Sequence, residues 1–214
     1  MDTDDARRAL VERARKEVSG PEEAAEYGRL MALVRDGLPP ARREELVRVL
    51  AEPGRPLWSR ELAAFALGCA GDRRAFETLV LLLNHRDAPR CASAAHALAR
   101  LGDPRTARAA AALATNPLRT AYALHPVRLL TALRAPESVP ALTTTLERLL
   151  AARTPYWPVA LACVEGLGAL GDRRAVPVLT TARDHARLAA PAEAALARLD
   201  GTAGGEARRG AESR

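Results

Sequence analysis

The tightest grouping of side chains with metal-binding chemistry in this chain is His85, Cys91 and His96. Zinc sites draw their ligands from short-spaced pairs such as Cys-x-x-Cys or His-x3-His. These three stand six and five residues apart, there is no Cys-x-x-Cys, and the other two histidines, His125 and His185, lie far along the chain. The spacing predicts no metal site and no cofactor site. Cys69 and Cys163 fall in apolar helical stretches, and with Cys91 they read as buried thiols acting as small hydrophobes. Nucleophile chemistry fares no better. No Gly-x-Ser-x-Gly elbow, phosphate loop or dinucleotide fingerprint occurs, Thr143-Thr-Thr145 and Thr180-Thr181 have no base beside them, and no two carboxylates form an evident acid/base couple. The expectation is a chain with no catalytic residues and no enzymatic activity.

What remains is cationic and aromatic. The formal net charge is +6 with a pI near 10.0, and the positive excess lies after residue 55. Of 32 basic residues only Lys16 is a lysine, a bias that reflects a GC-rich coding genome more than a binding surface. The charge still favours an acidic partner, either a protein segment or nucleic acid. Aromatics make up 3% of the chain, so the interior must be filled by Leu, Val and Ala. No apolar run is long enough to span a bilayer and the first residues are acidic, so the expected compartment is the cytoplasm and no membrane partner is expected.

The elements that position these residues follow from a repeat. Leu67-Gly-Cys-Ala-Gly-Asp72, Leu98-Ala-Arg-Leu-Gly-Asp103, Leu130-Thr-Ala-Leu-Arg-Ala135 and Leu167-Gly-Ala-Leu-Gly-Asp172 share one layout, and their leading leucines are 31, 32 and 37 residues apart. Such a period predicts stacked helical hairpins. The chain divides into an N-terminal helix or tail (1–20), a divergent first repeat (21–56), a regular array (57–200) and a disordered tail (201–214). Leu67, Leu98, Leu130 and Leu167 form one core column. Phe76/Ala107/Val139/Val176 and Leu79/Ala110/Leu142/Leu179, three apart on the second helices, form the facing one. Asp72, Asp103 and Asp172 are placed to cap those second helices. Arg134-Ala-Pro-Glu137 lacks both the Gly and the Asp, so the fourth turn should be the least regular.

The string Ala169-Leu-Gly-Asp-Arg-Arg-Ala-Val-Pro177 resembles the short HEAT repeats of bacterial proteins, the type named from phycobilisome lyases. The resemblance covers 57–199 well and 22–52 loosely. It implies an all-α fold, a right-handed α-solenoid of the HEAT or armadillo type, with the row of second-helix side chains opposite the core on a concave surface. Helical periodicity puts Arg74, Arg105, Glu137 and Arg174 in that row, followed by Leu81, Ala112, Thr144 and Thr181, then His85, Asn116, Arg148 and His185, with Arg108 at its edge. The same arginines could instead pair with neighbouring carboxylates as a ladder along the stack, and His85, Arg148 and His185 could cap helix C-termini. Tyr156 and Trp157, adjacent aromatics between prolines, are a second candidate contact, or else cover the start of a helix as Trp58 would. Arg128 and Glu165 are spaced for an inter-repeat ion pair. The expected function is a cytoplasmic scaffold that binds an acidic protein segment. The alternatives are a nucleic-acid-associated protein, including a HEAT-like DNA glycosylase, or a relative of the bilin lyases.

Overall fold

The computed structural model describes residues 3–35, 38–152 and 156–212. They form α1 (Thr3–Glu17), α2 (Gly20–Arg35), α3 (Pro40–Ala51), α4 (Leu57–Cys69), α5 (Phe76–Leu83), α6 (Ala88–Leu101), α7 (Arg105–Thr115), α8 (Leu124–Leu133), α9 (Ser138–Ala151), α10 (Trp157–Leu170), α11 (Val176–Arg183) and α12 (Ala189–Glu212), with no strand among the described residues. This is an all-α solenoid fold of stacked helical hairpins. No helix among the described residues is long and apolar enough to cross a membrane.

Local chemistry sets where each helix starts. The Asp72 and Asp172 carboxylates accept the backbone N–H two residues on, from Arg74 at 3.1 Å and Arg174 at 2.9 Å. Each thereby opens a 3₁₀ turn that runs into α5 or α11. Asp103 does the same for Arg105 at 2.9 Å at the head of α7. Prolines occupy the first positions of α3, α6, α10 and α11, where the missing N–H costs nothing.

Helix ends use the left-handed region. Gly102 (φ 65°) stops α6 and Gly171 (φ 77°) stops α10. The fourth turn is more regular than its composition predicts. Arg134 itself takes the left-handed conformation (φ 51°, ψ 32°), and the Ser138 hydroxyl accepts the Ala135 N–H at 3.1 Å while donating to the Leu130 carbonyl at 2.7 Å. Strain at a non-glycine residue there is offset by its guanidinium, which donates to the Ala169 and Leu170 carbonyls at 3.0 and 3.4 Å, at the negative end of α10.

The chain forms two compact units, Met1–Thr106 and Ala107–Arg214. In the first, α4 is the central element, packed by α1, α2, α3, α5 and α6, and ten of its residues are buried. Leu67, Phe76, Leu79 and Leu98 lie in this core, as the columns predict. Trp58 is buried at the start of α4, edge-on to Tyr27 (6.0 Å between centroids) and donating to Glu23 at 3.3 Å, a packing role. α1 and the α2–α3 hairpin, which the sequence sets apart, belong to this unit. α1 buries Ala6, Leu10 and Ala14 and also carries charge inward. Arg13 bonds both Glu61 and Ser93, and Arg90 bonds both Glu61 and Glu17.

In the second unit α10 packs on α8, α9 and α12, and α11 on α9 and α12. Leu130, Leu142, Leu167 and Leu179 are fully buried, Ala107, Ala110 and Val139 nearly so, and Val176 is half-buried. α12 continues as helix through 201–212, where composition predicts a disordered tail.

Candidate functional site

The arginine row is built as a ladder of forks. Arg74, Arg105 and Arg174 each fold back onto the aspartate two residues before. Arg74 donates from Nε and Nη2 to the two Asp72 oxygens at 2.9 and 2.7 Å, and Arg105 makes the same fork on Asp103 at 3.0 Å for both bonds. Arg174 donates from Nη2 to Asp172 at 2.6 Å. The free corner of two of these forks then reaches the preceding repeat. Arg74 Nη1 bonds Glu44 at 2.7 Å, and Arg105 Nη1 bonds Glu77 at 3.1 Å while its guanidinium lies 3.9 Å over the Phe76 ring. Arg74 and Arg105 are thus committed to carboxylates on two sides.

Arg174 differs because Pro140 stands in the column that Glu77 fills two repeats earlier. Asp172 is its only ion partner among the described residues, and its side chain is 71% exposed. In the intervening repeat the signs are swapped, Arg108 in the glutamate column and Glu137 in the arginine column, but the two form no ion pair among the described residues. Arg128 and Glu165, spaced for an inter-repeat pair, are both exposed and likewise unpaired among the described residues. A single repeat of separation does not bring two exposed ends together when each is better solvated alone.

The forks leave an electrostatic mark. Hydrogen bonds from Arg74, Arg105 and Arg174 hold the Asp72, Asp103 and Asp172 carboxyls below the ordinary carboxylate range. A carboxyl lowered in the folded state contributes stability that is fully present above its unfolded value, about 4, and is lost as pH falls through its folded value. An Arg74/Arg105/Arg174→Gln triple variant should therefore lose stability less steeply than wild type between about pH 4 and pH 2. Urea midpoints at pH 7 and pH 3 test this, and equal slopes would show that the forks do not bias the folded carboxyls.

The remaining candidates fall into distinct settings. Leu81 is 69% exposed, and Arg108, Thr144 and Thr181 are exposed. Thr181 donates back to the Pro177 carbonyl at 3.2 Å. His85 is half-buried, with Nδ1 accepting the Asp87 N–H at 3.0 Å ahead of α6, a capping role. Arg148 is half-buried and donates from Nη1 to Thr120 at 2.6 Å, while its Nε and Nη2 are buried without a hydrogen-bond partner. Tyr156 is 40% exposed. Residues 153–155, which lead into it, lie outside the described residues.

Two candidates that are separate in sequence come together in space. The Trp157 ring lies 6.3 Å from the His185 ring, and the Arg187 guanidinium lies over the Trp157 ring, 5.6 Å from its centroid. His185 and Thr181 in turn line a depression of about 340 Å³ between the C-terminal half of α9 and α11, with Leu150, Pro177 and Val178 as its apolar lining and Glu147 beside them. At the other end of the same helix pair, Arg134, Val139, Leu170 and Arg174 line a second depression of about 270 Å³. α11 is 8 residues long, so the seam between the two helices runs for about 12 Å.

Sequence columns alone miss the buried Arg13–Glu61–Arg90 cluster and the capping role of Arg134, because neither has a counterpart in other repeats. His96 stacks on Phe65 (centroids 5.9 Å apart) and contacts the Thr3 hydroxyl at 3.1 Å, whereas Cys91 donates to the His85 main-chain carbonyl at 3.0 Å, so His96 is engaged apart from the other two and Cys91 meets the His85 backbone, not its ring. Among the described residues no group of three or more His, Cys, Asp or Glu side chains is placed to hold a metal ion. Burial pushes the Cys69 thiol up to about 11 and Cys163 to about 12, so neither is a thiolate at neutral pH.

Residues 159–185, which comprise most of α10 and all of α11, match the model of the PBS lyase HEAT-like repeat. No curated protein matches the chain. Among solved structures it is similar to human deoxyhypusine hydroxylase in complex with glycerol, at 16% identity, covering 92% of this chain and 96% of that one with a TM-score of 0.33. That neighbour is an enzyme, and although a likeness this low assigns no activity to this chain, the expectation of a chain without enzymatic activity is withdrawn. Absence of a familiar catalytic motif was the ground for that expectation, and an architecture made of packing and turn residues excludes no chemistry.

Proposed function

We propose that this HEAT-like repeat chain docks an acidic segment of a partner protein along the second-helix face, with the α9/α11 seam as its principal site. The observation that carries the reading is the seam's division of labour. Arg134, Arg173 and Arg174 outnumber the carboxylates of the same turns, Asp172 and Glu137, at one end. An apolar depression with Trp157 and His185 beside it lies at the other. A segment carrying carboxylates followed by one apolar anchor matches both ends. Arg174 suits the first contact because it has no carboxylate from a preceding repeat to give up, unlike Arg74 and Arg105. Arg108, Thr144 and Arg148, which belong to the same unit as the seam, are assigned supporting contacts.

A peptide array varying acidic residues around one Leu or Phe tests this, followed by anisotropy measurements on the selected peptide. Arg174→Glu and Thr181→Trp are each expected to weaken it about tenfold, through charge and through filling of the depression respectively. A nucleic-acid role is the second reading, favoured by the basic pI. Binding of a random duplex with a steep salt dependence, at an affinity above that of any peptide, would replace the docking assignment with it.

A further inference from the structure

In the first unit α1, α2 and α4 leave a space between them. It is a cavity of about 240 Å³ whose apolar lining includes Leu10, Leu62, Phe65 and Ala66, and whose polar lining includes Arg7, Arg43 and the Cys69 thiol. A wider depression of about 420 Å³ shares Arg7, Val11 and Val34 with it and adds Arg8 and Met31, so the cavity continues outward along α1. An apolar cavity of about 150 Å³ takes up benzene, six carbons, and in proportion this one has room for about ten.

The charges around it are not evenly matched. Arg7 pairs with Asp4 at 3.1 Å and Arg8 with Asp5 at 3.3 Å. Arg43 is half-buried and held by a 2.8 Å bond from its Nε to the Leu38 carbonyl, and it forms no ion pair among the described residues. Asp72, whose carboxylate feels Arg43, is already occupied by the Arg74 fork. A fixed guanidinium with no ion pair among the described residues, beside an apolar space of this size, is complementary to a ligand with one anionic head and an unbranched hydrocarbon tail.

We propose that this cavity binds one medium-chain monocarboxylate, a fatty acid of about ten carbons, with its tail against Leu62 and Phe65 and its carboxylate on Arg43. The site is separate from the α9/α11 seam and stands or falls without it. Decanoate and decanol, the same tail without the charge, are the probes, and calorimetry on the full chain is the measurement. Wild type should bind one equivalent of decanoate. Arg43→Met, which keeps the stem and removes the charge, should bind decanoate at least tenfold more weakly and decanol as well as wild type does. Ala70→Leu, whose side chain projects into the cavity, should lose both ligands. Should that variant fail to fold, Val11→Phe fills the same space from α1. No saturable decanoate binding by folded wild type, equal decanoate affinity in Arg43→Met, or undiminished binding in the filled variant would each overturn the proposal.

Discussion

Replacing Glu61 by alanine is expected to cost about 3–5 kcal/mol, the largest loss from any single truncation of a polar residue in this chain. Glu61 is 2% exposed in the middle of α4 and ionically bonded to Arg13 from α1 and Arg90 from α6. With the carboxylate gone, Arg90 keeps Glu17, but Arg13 keeps only the Ser93 hydroxyl, and a guanidinium is left without a counter-charge in a desolvated place. Glutamine behaves differently. Burial raises the Glu61 carboxyl above the ordinary range even though Arg13 and Arg90 pull the other way, so the folded protein holds the ionised form at a cost. A neutral amide of the same shape avoids that cost, but only its carbonyl oxygen can accept from an arginine, and its N–H2 group turns a donor toward the other guanidinium. Glu61→Gln should therefore lose less than Glu61→Ala by about 1 kcal/mol at pH 7, the worth of the hydrogen bond it retains.

The pH dependence separates the two effects. A carboxyl raised in the folded state binds its proton more tightly there than in the unfolded chain. Stability thus falls as pH rises from the ordinary carboxylate range through the raised value. Wild type should show that decline and Glu61→Gln should not, in urea melts followed by far-UV circular dichroism from pH 4 to pH 8. Hydrogen exchange supplies the structural counterpart, since α1 is anchored by this cluster and its amides should exchange faster in Glu61→Ala while those of α10 do not change. Equal stability of the alanine and glutamine variants would mean that the cluster is not desolvated in solution.

Helices and core columns were legible because a packing residue repeats: the leucines at 67, 98, 130 and 167 must all face inward, and all four are buried. Glu61 was illegible for the opposite reason. In the run Ser59-Arg-Glu-Leu-Ala-Ala64 it reads as a surface charge, and its partners lie 48 residues before it and 29 after it, a relation that no repeat imposes. The candidate site shows the same divide. Columns placed Thr181 and His185 on one row, but the depression they line requires α9 beside α11, and the contact between His185 and Trp157 arises across 28 residues. Arg74 and Arg105 sat in the right column for a binding face, and only the geometry of Glu44 and Glu77 shows them engaged in the ladder.

Glycine in this chain marks more than turns. Gly68, Gly166 and Gly168 lie inside α4 and α10, where a helix normally disfavours them, and each marks a close approach. At Gly68 an added Cβ would meet the Leu79 Cδ1 at 2.7 Å, the far end of a side chain that can rotate. Gly168 is the severe case. Its Cβ would stand 2.7 Å from the Ala195 Cβ and 2.9 Å from the Ala195 Cα, and neither atom can move without α12 moving off α10. Gly168→Ala should therefore lose about 1–3 kcal/mol despite alanine's better helix propensity. Gly28→Ala, in exposed α2 with nothing within 4 Å of the new methyl, should gain about 0.5–1 kcal/mol. Two chemically identical substitutions with opposite signs isolate the contact from the propensity. The double variant Gly168→Ala/Ala195→Gly transfers the missing methyl from one helix to the other and should recover part of the loss, read as a coupling energy from urea midpoints. Full additivity of the two single changes, or a stabilising Gly168→Ala, would show that α10 and α12 do not meet this closely in solution.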